Sequence, residues 1–183
     1  TDYVFDGNGI RPYREDDPVN PQSVYGASKL EGERQALQYN PDALIIRTSW
    51  VYSEFGKNFV KTMLRLMADK PELRVVHDQV GSPTYAADLA EAILQIIASG
   101  NWHPGIYHYS NAGAISWHTF ATAIAASIGY TGTIHPITTD QYPTPAKRPA
   151  YSVMDTAKIQ AAYTMKVKDW KERLEVCLGR IKK

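Results

Sequence analysis

The stretch Ser23 to Arg47, SVYGASKLEGERQALQYNPDALIIR, decides the fold. Ser23 is a helix-capping residue type, because its hydroxyl can accept from a free N–H of the first turn. A helix is expected from Val24 to Tyr39, and Pro41-Asp42 breaks it. Ala43-Leu44-Ile45-Ile46-Arg47 follows as a short continuous apolar run. That pattern suits a strand buried on both faces of a parallel sheet.

Outward from this unit the alternation continues. Upstream, Thr1 to Phe5 reads as an apolar strand already in progress, so further sequence is expected before it. Asp6-Gly7-Asn8-Gly9 is turn chemistry, and a polar loop runs through Pro12, Pro18 and Pro21. Downstream, helices are expected over 59–67, 86–98, 117–128, 155–162 and 168–181. Strands are expected over 73–76, 105–109 and 133–137. On the 86–98 helix the apolar stripe reads as Leu89, Ile93, Leu94 and Ile97. A loop rich in Pro and Thr includes Pro143, Pro145 and Pro149. Alternating strands and helices give an α/β class with a mainly parallel sheet.

Composition excludes several classes. The 183 residues are 44% hydrophobic, enough for a sizeable core. Twenty basic side chains against 19 acidic ones leave a net charge of +1, which points to neither nucleic acid nor an anionic membrane as partner. The basic tail at Lys182 and Lys183 reads as a solvated end. The single cysteine, Cys177, permits no internal disulfide and no Cys-based metal site, and it reads as a small buried side chain. No apolar run reaches membrane-spanning length. A reducing cytoplasm is the expected compartment. The five histidines lack metal-ligand spacing, Glu15-Asp16-Asp17 reads as solvated, and no metal is expected.

Tyr25 and Lys29 stand at i and i+4, on one helix face. A phenol is a poor proton donor at neutral pH, and a nearby ammonium favours its ionised form. Such a pair can hand a proton to a carbonyl oxygen while a hydride reaches the carbon. With 12 tyrosines in the chain a bare YxxxK arises by chance, so its context decides.

That context is a series of blocks: TDYVFDG at 1–7, Asn20-Pro21, YGASKLEGE at 25–33, IRTSWVY at 46–52, KNFV at 57–60, DQVGSPT at 78–84, DLA at 88–90 and PTPAKRP at 143–149. Together they resemble extended short-chain dehydrogenases of the dTDP-4-dehydrorhamnose reductase type. The resemblance covers nearly the whole chain up to the final helices. It implies a partial Rossmann-like parallel sheet lacking its N-terminal strands, with a smaller α/β substrate-binding subdomain. About 1–55 would be the remnant of the Rossmann core, and about 56–183 mainly the substrate-binding part, interleaved with it.

The resemblance further implies reduction of the 4-keto group of dTDP-4-dehydro-L-rhamnose with NADPH or NADH. Thr1, Tyr25 and Lys29 match the catalytic triad, with Tyr25 and Lys29 also contacting the cofactor. Trp50 matches a substrate-pocket tryptophan, and Val4 is expected to touch the sugar. Asn58, Arg74 and Arg148 are the candidates for the nucleotide, since an Arg fork suits phosphate. The partner is a dTDP-sugar, and a homodimer is compatible with the family.

One element departs from the pattern. The family's glycine-rich turn GxxGxxG, which lets a pyrophosphate approach a helix N-terminus, does not occur here. These 183 residues by themselves are therefore expected to be inactive. Two other readings share much of the pattern. One is a sugar-nucleotide epimerase or dehydratase of the same superfamily. The other is a non-catalytic subunit resembling the regulatory subunit of methionine adenosyltransferase.

Overall fold

A computed structural model describes residues 1–144 and 146–181. Pro145 of the proline-rich block and the basic tail Lys182-Lys183 lie outside the described residues. Among the described residues, six α-helices run α1 Val24–Tyr39, α2 Phe59–Asp69, α3 Ala86–Ala98, α4 Trp117–Ile128, α5 Ala157–Tyr163 and α6 Trp170–Ile181. Eight strands among the same residues run β1 Leu44–Arg47, β2 Val51–Tyr52, β3 Glu72–Val76, β4 Val80–Gly81, β5 Thr84–Tyr85, β6 Gly105–His108, β7 Ile115–Ser116 and β8 Thr133–Ile137.

The α/β class holds, and parallel pairing dominates. β1 pairs with β6, β2 with β5 and β3 with β8, all parallel, whereas β4 and β7 are antiparallel. These are four separate two-stranded pairs among the described residues. The β1–β6 register sets Leu44 opposite Gly105 and Arg47 opposite His108.

The largest core cluster joins α2, α4 and α6 over β3 and β5. Phe120, Ile124 and Leu174 are fully buried within it. Each such side chain contributes about 1.5–3 kcal/mol relative to exposure. A second cluster joins α3, β6 and α5 through Ile96, Tyr107 and Ile159. A third gathers Val4, Phe5, Tyr13, Leu30 and Met154 beneath α1. Cys177 is buried in the first cluster, and burial pushes its thiol up to about 11, as befits an inert packing residue.

Two expectations need correction. Thr1 to Phe5 is not a strand: Asp2–Val4 is one turn of 3-10 helix capped by Thr1. The Thr1 Oγ1 accepts from the Tyr3 N–H at 3.3 Å, and the Phe5 N–H donates to the Asp2 carbonyl at 3.2 Å. A side-chain cap satisfies locally what a strand would have to satisfy across a ladder. The turn still sinks Val4 and Phe5 into the core.

The second concerns α3. Its inward positions are Asp88, Ala92 and Ile96, while Ile93, Leu94 and Ile97 are exposed. Asp88 is drawn inward by Arg173 of α6, whose Nε donates to its Oδ2 at 2.8 Å, and by the Asn111 amide at 2.9 Å. That buried pair turns the helix so that Ala92 and Ile96, on the Asp88 face, pack into the core.

The segment from Arg148 to Asp155 joins distant parts of the chain. The Tyr151 N–H donates to the Gly7 carbonyl at 3.0 Å, and the Val80 N–H to the Ala150 carbonyl at 2.8 Å. The Tyr13 N–H donates to the Val153 carbonyl at 2.9 Å. This zipper carries the proline-flanked Arg148 back over the N-terminal turn.

Candidate active site

α1 carries Tyr25 and Lys29, the expected acid–base pair. Ser23 caps it, its hydroxyl accepting from the Gly26 N–H at 3.1 Å. Gly26 is buried, and a Cβ there would run into the Tyr3 carbonyl oxygen. Without a side chain at this position, the first turn of α1 lies directly on the 3-10 turn of Thr1 to Val4. Tyr25 and Tyr3 consequently meet edge to face, with ring centroids 5.5 Å apart at 87°. Lys29, one turn on from Tyr25, holds its Nζ 5.7 Å from the Tyr25 ring centroid.

The helix is fixed from below by a buried ion pair. The Arg47 Nη2 lies 2.7 Å from the Glu33 Oε2, and its Nε lies 3.0 Å from the Oε1. Glu33 stands one turn beyond Lys29, so this bond ties the face of α1 that bears Tyr25 and Lys29 to β1. The Arg47 Nη1 lies 3.5 Å from the His108 Nε2, and the His108 Nδ1 lies 3.1 Å from the Tyr13 carbonyl. A carbonyl only accepts, so Nδ1 carries the proton and Nε2 presents a lone pair to Arg47. Burial, helped by Arg47, pushes His108 down to about 4, and the imidazole is neutral at physiological pH.

Above this base lies a cleft of about 460 Å³. Thr1, Tyr25, Lys29, Trp50 and Arg148 all line it, although they come from four separate parts of the chain. The Thr1 hydroxyl donates to the Asp2 Oδ1 at 3.1 Å. Arg148 also lines an adjoining recess of about 250 Å³ with Asp78, Thr139 and Lys147.

Three of the expected site residues are elsewhere. Val4 is fully buried and faces Leu30 and Tyr13 rather than the cleft, because the 3-10 turn exposes its neighbour Tyr3 instead. The Asn58 amide is used up in capping α2. It accepts from the Lys61 N–H at 3.2 Å and donates to the Ser53 carbonyl at 2.7 Å. Arg74 projects from β3 on the surface, opposite His135 of β8.

Sequence reading also missed residues that line the cleft. Trp117 stacks on Trp50 with centroids 3.5 Å apart and planes at 7°. Gln79 is buried there and donates to the Thr139 hydroxyl at 3.0 Å. Asp2 is buried with one carboxylate oxygen unpartnered, and burial raises its carboxyl above the ordinary range. Asp2, inside the TDYVFDG block, and Gln79, inside the DQVGSPT block, carried a signal in the sequence, whereas Trp117 lies in none of the blocks.

Trp50 has a left-handed backbone, φ 48°. For a bulky residue that conformation costs about 1–3 kcal/mol and persists only where its surroundings hold it. Here the Thr84 N–H donates to the Trp50 carbonyl at 3.2 Å, and the neighbouring Ser49 hydroxyl to the Ser82 carbonyl at 2.8 Å.

Among the described residues no helix is long and apolar enough to cross a membrane, and no three His, Cys, Asp or Glu side chains gather as metal ligands.

Comparison with known proteins agrees with this architecture. The spore coat polysaccharide biosynthesis protein SpsK of Bacillus subtilis is 50% identical over 174 residues, covering 95% of this chain and 60% of that protein. The dTDP-4-dehydrorhamnose reductase of Aggregatibacter actinomycetemcomitans is 44% identical, covering 96% and 63%. A crystal structure of a dTDP-4-dehydrorhamnose reductase from Clostridium acetobutylicum superposes with a TM-score of 0.94 at 43% identity, covering 100% of this chain and 64% of that one. The chain thus spans about six tenths of the length of these relatives. The family described as RmlD substrate binding domain matches residues 1–183 from end to end, and the chain belongs to it.

Proposed function

We propose that the protein containing this chain reduces the 4-keto group of a dTDP-linked 6-deoxysugar, dTDP-4-dehydro-L-rhamnose, with NADPH or NADH. The observation that carries this reading is the meeting of Thr1, Tyr25 and Lys29 on one cleft walled by Trp50. Relatives bearing the dTDP-4-dehydrorhamnose reductase name support it, at 44% identity for one over nearly the whole chain. A further crystal structure with that name, from Bacillus anthracis in complex with NADP, has a TM-score of 0.92 at 37% identity.

The residues fit a nicotinamide nucleotide at the reacting end. Lys29 is an exposed ammonium beside a half-exposed phenol, and ammonium donors suit ribose hydroxyls. No glycine-rich dinucleotide turn lies in these 183 residues, so no pyrophosphate contact is assigned within them. The nicotinamide, when bound, supplies a hydride to the carbonyl carbon. Tyr25 gives its phenolic proton to the carbonyl oxygen, while the Thr1 hydroxyl turns from Asp2 to donate to the same oxygen. Trp50 packs an apolar wall against the deoxysugar. Arg148, next to Pro149 at the rim of the cleft, meets the diphosphate as a planar fork.

The test is direct. The full-length gene product is mixed with NADPH and dTDP-4-dehydro-L-rhamnose while the absorbance of the reduced nicotinamide is followed. Wild type should turn over, and Tyr25→Phe should lower kcat by about 10²- to 10⁴-fold, the usual worth of a positioned acid. Turnover that survives Tyr25→Phe unchanged refutes the assignment.

A further inference from the structure

We infer that Trp117 is the positioning residue for Trp50, setting how tightly the cleft holds the sugar nucleotide. This rests on the reductase reading of the cleft. Trp50 is an exceptional tryptophan: its backbone is left-handed, and its indole is confined by two neighbours. On one side it stacks on Trp117, 3.5 Å between centroids and nearly coplanar at 7°. Against its pyrrole nitrogen lies Gly81, where a Cβ would fall 2.6 Å from the Trp50 Cε2, 2.7 Å from its Nε1 and 2.8 Å from the Ser152 hydroxyl.

Trp117 itself is firmly mounted. It is the first residue of α4, directly after the Ser116 cap, whose hydroxyl accepts from the Thr119 N–H at 3.0 Å. Phe59, at the start of α2, packs on it with ring centroids 4.6 Å apart. Trp117 therefore touches both the Phe59 ring and the Trp50 indole, and the Trp50 indole also abuts the Gly81 backbone. Both tryptophans line the cleft together with Thr1, Tyr25 and Lys29. A left-handed indole without a backing ring can turn away from the cleft and take the apolar wall with it. Position 81 favours glycine because a Cβ there would collide with the indole.

Trp117 takes no part in proton or hydride movement. Its loss should weaken ground-state binding of the sugar nucleotide and leave the chemical step intact. An aromatic stack of this kind corresponds to about a twofold to tenfold change in affinity.

The experiment uses the full-length protein and four forms: wild type, Trp117→Leu, Trp117→Phe and Gly81→Ala. Circular dichroism of ligand-free protein reads the stacked indoles as an exciton couplet, with no reference to activity. Calorimetric titration with dTDP reads binding, and steady-state kinetics separate KM from kcat. Trp117→Leu should abolish the couplet and raise both the sugar-nucleotide KM and the dTDP Kd about twofold to tenfold, with kcat within about twofold. Trp117→Phe should lose the couplet and keep KM near wild type, because a ring still backs Trp50. Gly81→Ala should alter the couplet and raise KM with Trp117 in place.

A merely structural role for Trp117 would lower the active fraction, and so kcat, without moving KM. That result overturns the proposal, as does a Trp117→Leu protein with unchanged KM and Kd. If wild type shows no turnover, the reductase reading fails, and the dTDP Kd alone then decides for or against Trp117.

Discussion

Truncating Glu33 to alanine should leave the Arg47 guanidinium charged, buried and unpaired. Arg47 is 2% exposed and Glu33 8%, so water cannot replace the lost carboxylate without opening the base of the site. Breaking a buried pair from one side costs about 3–5 kcal/mol. For a folded unit of about 150–250 residues each kcal/mol moves the melting temperature by about 2–4 °C, so the expected drop is about 6–20 °C. Removing both charges, Glu33→Ala with Arg47→Met, should recover most of that drop, because a buried pair exchanged for apolar groups is often close to neutral. The assay is scanning calorimetry of the four corners of this double-mutant cycle at pH 7. A single variant that melts within about 2 °C of wild type would refute the reasoning. So would a double variant no more stable than the single one, since the cost would then arise from something other than a stranded charge. Because Glu33 anchors the helix that carries Tyr25 and Lys29, the single variant should also lose turnover below its melting point.

Two further outcomes follow from the same base. His108 titrates at about 4 when folded against 6.5 when unfolded, so the unfolded chain takes up the extra proton as pH falls between those values. Its contribution is intact above about 6.5 and is lost toward pH 4, up to about 3 kcal/mol. Urea midpoints measured from pH 7.5 to 4.5 should therefore fall less steeply in His108→Asn than in wild type. Equal slopes would remove His108 as the cause, since Asp17, held low by Arg11, titrates beneath that window. Gly26→Ala should drive a methyl into the Tyr3 carbonyl, cost about 1–3 kcal/mol as overpacking, and separate Tyr25 from Thr1. Its mark should be a kcat loss larger than that of Gly32→Ala, where a Cβ meets nothing within 4 Å. Equal kcat in the two alanine variants would show that the contact with Tyr3 does not set the geometry.

The sequence by itself determined what is local. Ser23 caps α1, whose bounds Val24–Tyr39 follow from a capping hydroxyl at one end and Pro41 at the other. Tyr25 and Lys29 share a face because they are one turn apart, whatever surrounds them. Other local rules competed and were misread. Thr1 closes a 3-10 turn where an apolar run suggested a strand, and the Asn58 amide serves as a helix cap where a ligand contact was expected.

Only the tertiary structure decided the rest. α3 is apolar on more than one face, so which face is buried depended on Arg173, 85 positions beyond Asp88. The cleft exists because the zipper of Arg148 to Asp155 returns to Gly7 and Val80, and because Trp117 arrives beside Trp50. Hydrogen bonds to the next turn are written in residue spacing. Stacking, burial and a carboxylate that meets its arginine across the fold depend on distances that spacing along the chain does not contain.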